Sequence, residues 1–101
     1  ADDIPVIEKQ IVNDIADVIG EIRPNIIVTH WPYDSVPAYA NATQMTLLAM
    51  DELEAYAVVN HIVPTKSPKC STMYGLVRLT YKRVCFLGYR PHVLTLVKSV
   101  N

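Results

Sequence analysis

The sequence predicts an α/β fold: a layered, mostly parallel sheet with helices packed on it. Three observations carry this. A helix-periodic run covers 6–22, an unbroken apolar strand follows at once over 25–30, and a proline-rich loop stands where that strand ends. A helix feeding directly into an all-apolar strand is the pattern of parallel layered folds.

Over 6–22, Ile7, Ile11, Ile15, Val18, Ile19 and Ile22 recur at helical spacing. Glu8, Lys9, Asn13, Asp14 and Asp17 fall between them, which gives one apolar and one wet face. Asp2 and Asp3 can cap the start, Pro5 is tolerated in a first turn, and Gly20 with Pro24 brackets the end. Asn25-Ile26-Ile27-Val28-Thr29-His30 is rich in β-branched residues and reads as a strand buried on both faces. Pro32 and Pro37 forbid helix and central strand in the next segment, making it a loop at the carboxyl end of a parallel strand. In open α/β sheets that edge is where ligands bind.

A second helix is expected from about Asn41 to Val58, with Met45, Leu48, Ala49, Leu53 and Tyr56 as its apolar stripe and Asp51, Glu52 and Glu54 facing water. Asn41-Ala42-Thr43 matches a glycosylation sequon, and its place at this helix start favours capping. Asn60 to Lys69, with Pro64 and Pro68, reads as a connector. Ser71 to Phe86 is rich in β-formers, so one bent strand or a hairpin is expected; Gly88 to Pro91 is turn-like, and His92 to Val97 is a last strand.

Composition bounds the function. The 101 residues suit a single small, partial domain spanning 1–101, and 50% hydrophobic residues suffice for a core. A net charge of −1 offers no basic field for phosphate backbones, so no nucleic-acid partner is expected. No apolar run approaches the roughly 20 residues that span a bilayer, and the acidic start is not a signal peptide. No membrane association and a cytoplasmic location are therefore expected. Cys70 and Cys85 are not a CxxC pair; two buried thiols and a bridge both fit the sequence.

Candidate site residues cluster around the proline-rich loop. His30 ends the buried strand, as either a group of an active-site edge or a histidine bonded to loop backbone. Asp34 can orient His30 or close the turn before Pro37 by an Asx-type bond. Tyr33 and Tyr39 flank the loop, to face a sugar ring or to pack over the sheet edge. His61 and His92 have no spacing that joins them to His30 as metal ligands.

Glu21-Ile22-Arg23-Pro24-Asn25-Ile26-Ile27-Val28-Thr29-His30, then Asp34 to Tyr39, Asn41-Ala42-Thr43-Gln44 and the helix to Tyr56-Ala57, resembles the PIG-L/LmbE family of zinc-dependent sugar deacetylases. Tyr89-Arg90-Pro91-His92-Val93-Leu94-Thr95-Leu96-Val97 is similar to that family's closing strand. The likeness covers about 6–58 well, 59–88 faintly and 89–97 fairly. It implies a partial, Rossmann-like fold, hydrolase ancestry, an N-acetylglucosamine-type ligand and zinc as the family's metal. In the family, zinc is held by an early His-Pro-Asp-Asp-Glu motif and the last His of a later His-Pro-Asp-His motif.

This chain departs from both motifs. The early one is absent, and Val36, Ala38 and Tyr39 stand where the later one has His, Asp and the ligand His. Valine and alanine carry no donor atom, and tyrosine is rare among zinc ligands. The expectation is a fragment or degenerate member of the family, non-catalytic alone, with no catalytic residue assigned in the aligned loop Asp34, Val36 and Tyr39. No metal ligand and no cofactor of its own is expected, and the binding residues are His30, Tyr33 and Asp34. Two further expectations concern partners. A self-associating structural or binding module would cover the strand edges that half a sheet leaves open. An enzyme whose missing N-terminal half lies elsewhere would also be completed by a partner.

Overall fold

The computed structural model describes residues 8–55, 59–66, 69–80, 83–90 and 93–98. Helix α1 spans Lys9–Ile22, strand β1 Ile26–His30, helix α2 Pro37–Glu52, strand β2 His61–Thr65, helix α3 Cys70–Thr80, strand β3 Val84–Arg90 and strand β4 Val93–Lys98. The sheet order is β2-β1-β3-β4. β1 runs parallel to both β2 and β3, and β4 returns antiparallel to β3. The predicted α/β class, with mostly parallel strands in a partial Rossmann-like layer, is the observed one.

The chain leaves β1 to one side and comes back across it to the other. α2 carries it to β2, and α3 carries it to β3. A reversal of this kind puts the two crossover helices on opposite faces when both crossovers are right-handed. The packing agrees. Val12, Ile15, Ala16, Ile19 and Ile22 of α1 join Met45, Ala49 and Met50 of α2 over Ile27, Cys85 and Leu87. On the other face Met73, Tyr74 and Val77 of α3 lie over Ile26, Val28, Val84 and Phe86.

The α1 periodicity holds for its described part, while Asp2, Asp3, Pro5 and Ile7 lie outside the described residues. The helix ends at Ile22, between Gly20 and Pro24 as expected. It closes at Arg23, whose left-handed backbone (φ 52°) lets its N–H reach Ile19 O. α2 begins earlier than expected, with Pro37 in its first turn. Asn41 and Thr43 are therefore inside the helix and do not cap it. The buried stripe is Ala42, Met45, Thr46, Ala49 and Met50, whereas Leu48 and Leu53 are exposed. Asp51, Glu52 and Glu54 face water as expected, and residues 56–58 lie outside the described residues.

Three expectations are corrected. The connector contains β2, an edge strand in which Pro64 sits opposite Thr29; an edge position tolerates a proline because it needs no second ladder bond. Residues 70–80 are a helix, not a strand or hairpin. Cys70, Met73, Tyr74 and Val77 recur at helical spacing, and that burial overrides their β-forming composition. Gly88 is in β3 and makes no turn. A β-carbon there would lie 2.3 Å from Phe86 Cζ and 2.7 Å from His30 Nε2, so the strand needs a residue without one. The last strand is present as β4; His92 lies outside the described residues.

Candidate functional site at the carboxyl end of the first strand

The last two residues of β1 point to opposite faces, and each ties the strand to a crossover helix. Thr29 meets α2: its Oγ1 is 3.1 Å from Thr43 Oγ1, and Thr43 Oγ1 donates to His30 O at 2.6 Å. Thr43 spends its proton on that carbonyl, so Thr29 is the donor of the first bond. His30, 3% exposed, meets α3: Cys70 Sγ is 3.3 Å from its Nδ1. Tyr39 lies nearly flat on the imidazole, with centroids 4.4 Å apart and planes 18° from parallel. Phe86 presents to it at 83° and 5.7 Å.

The loop above this floor is held by short-range bonds. Trp31 N–H donates to Thr65 O at 3.0 Å, which extends the β1–β2 ladder by one rung. Asp34 N–H donates to Trp31 O, and Val36 N–H donates to Asp34 Oδ1 at 2.9 Å. Asp34 therefore takes the turn-closing role, an Asx bond that sets up the start of α2. Trp31, Tyr33, Asp34, Ser35 and Lys66 line an open cleft of about 340 Å³. Lys66 Nζ stands 5.8 Å from the Trp31 ring centre, and Tyr33 meets that ring edge-on at 6.1 Å.

The expected binding residues are thus divided between two levels. Asp34 and Tyr33 line the cleft, and Tyr33 is 84% exposed, so it does not pack over the sheet edge. His30 is buried at the end of β1 and does not line the cleft; Tyr39 is stacked on it, one of the two roles expected of Tyr39. Val36 is partly exposed just before α2. His61 opens β2 opposite Ile26, at the other end of the strands from His30. Trp31 and Lys66 line the cleft without having been expected to, while Thr43 was expected as part of a helix cap and Cys70 as a buried or bridged thiol.

The zinc that the resemblance implies does not fit the residues described in this loop. The His30 ring's Nδ1 is engaged with Cys70, and Val36 and Ala38 offer no donor atoms. Among the described residues, no three His, Cys, Asp or Glu side chains group to hold a metal.

Cys70 and Cys85 are both buried and are not bridged to each other. Cys70 starts α3 beside His30, whereas Cys85 packs under α1 and α2, so the sheet separates them and no bridge forms. Burial in that apolar layer pushes the Cys85 thiol from 9.0 up to about 12. Among the described residues, no helix is long and apolar enough to cross a membrane. Compared with protein-family models, with curated proteins and with solved structures, the chain finds no match.

Proposed function

We propose that the chain is a PIG-L/LmbE-like domain that keeps the ligand-facing edge of the fold without the hydrolytic centre, and that it binds an amino sugar in the cleft above β1. The observation that carries this is the position of Tyr39. It stands where the resemblance implies the third zinc ligand, and it lies flat on His30. A hydrolytic zinc needs three protein ligands and an open water position, and this loop supplies neither.

The cleft supports the sugar reading through its chemistry. The Trp31 ring suits the C–H face of a pyranose, Asp34 can accept from hydroxyl or ammonium groups, and Lys66 donates. It also lies at the carboxyl ends of β1 and β2, the edge of open α/β sheets at which ligands bind.

Trp31 is the single tryptophan of the chain, so its fluorescence reports the cleft directly. Titration with glucosamine and N-acetylglucosamine is expected to give a saturable change, weakened in Asp34→Asn. No acetate release is expected with or without added zinc. A flat titration would remove the binding part, and zinc-dependent turnover would remove the non-catalytic part.

A second reading, self-association, is favoured by the outer face of α3. Leu76 is 59% and Leu79 is 82% exposed, and β2 is a sheet edge. Light scattering across micromolar dilution tests it: a dimer that Leu79→Lys dissociates supports it, and a monomer throughout rejects it.

A further inference from the structure

We propose that Cys70 is a reactive thiol, a modification site for small soft electrophiles, with His30 taking the thiol proton. The proposal is independent of the sugar reading, because neither residue lines the cleft. It starts from the fold bringing a nucleophile and a base, 40 residues apart in sequence, to 3.3 Å. A thiol within hydrogen-bond reach of an imidazole is the arrangement that activates sulfur.

The base is fixed in place. Tyr39 covers one ring face, Phe86 meets it edge-on, and Nε2 lies just 2.7 Å from where a β-carbon on Gly88 would stand. The imidazole has little room to swing away from the sulfur. Cys70 is also the first residue of α3, whose 11 residues direct first-turn amides and the positive end of the helix dipole towards that position.

Two carbonyls work against a thiolate, Thr65 O at 3.1 Å and Thr29 O at 4.0 Å from Sγ. The one S–H proton can go to a carbonyl or to His30 Nδ1, so these carbonyls compete with the imidazole for it. Once the proton has moved to Nδ1, a full positive charge stands 3.3 Å from the sulfur and attracts the thiolate. In the reaction the Sγ lone pair attacks the electrophilic carbon and an S–C bond forms. With iodoacetamide the C–I bond breaks, iodide leaves with the bonding pair, and the thiol proton passes to His30 and on to solvent. Cys70 is 5% exposed, so the site selects small reagents.

Cys85 is the internal reference. It is fully buried in the apolar layer, and it reacts at the rate at which the fold opens. The experiment is timed alkylation of the whole chain with iodoacetamide at pH 7.5, read at each cysteine by peptide mass spectrometry. Cys70 is expected to react at least about 100-fold faster than Cys85, and His30→Gln to slow Cys70 about tenfold with Cys85 unchanged. Equal rates at the two cysteines would overturn the proposal, since labelling would then follow unfolding alone. An unchanged Cys70 rate in His30→Gln at a steady Cys85 rate would also overturn it. If His30→Gln loosens the fold, the Cys85 rate rises, and the wild-type ratio of the two rates decides.

Discussion

The two faces of the sheet are built to different standards. Under α1 and α2, a broad layer of isoleucine, methionine and alanine closes over Ile27, Cys85 and Leu87, and its centre is fully buried. Under α3 the buried set is Ile26, Val28 and Val84, with half-buried Val63, Met73, Tyr74, Val77 and Phe86 around it. The difference teaches where stability and chemistry reside. The thick face holds the fold with apolar contact and the buried Thr29–Thr43 pair, and the thin face carries the contact between His30 and Cys70.

The largest expected effect concerns the thick face at alkaline pH. The Cys85 pKa is raised on folding from 9.0 to about 12, so the unfolded chain loses this proton first. Stability from Cys85 is therefore complete below pH 9 and is lost between pH 9 and about 12. Three pKa units set an upper bound of about 4 kcal/mol. Urea melts across this range should fall more steeply for the native chain than for Cys85→Ala; parallel slopes would break the comparison.

Cavity substitutions sharpen it next. Ile15→Ala in the thick layer should cost about 3 kcal/mol, and Val77→Ala on the thin side about 1 kcal/mol, both read from chemical melts. Equal losses would mean that the two layers contribute alike. Gly88→Ala should cost about 2 kcal/mol by pressing on Phe86 and His30, and it should shift the imidazole resonances of His30 in an NMR spectrum. The smallest effect is a gain. Arg23→Gly relieves a left-handed arginine at the end of α1 and should stabilise by about 0.5 kcal/mol.

Legibility in the sequence follows the same division. α1 and β1 were readable because their signals are local: Ile15, Ile19 and Ile22 mark one helix face, and the run from Ile26 to Val28 marks a strand covered on both sides. α3 was not, because Tyr74, Val77 and Thr80 favour strand and only their spacing from Cys70 and Met73 indicates a helix. β2 was hidden by Pro64, which excludes a central strand but not an edge. In the site, His30, Asp34 and Tyr39 belong to one short segment and could be read together. Thr43, Lys66 and Cys70 reach it through the crossovers, and no local pattern announces a contact made by topology.

The most direct test of the central claim is a ¹H–¹⁵N NMR titration of the chain with N-acetylglucosamine in the presence of zinc, with acetate followed in the same tube. The account predicts shifts confined to Trp31, Tyr33, Asp34, Ser35 and Lys66 and no acetate signal. Acetate accumulating with time, or a spectrum untouched by the sugar, would contradict it.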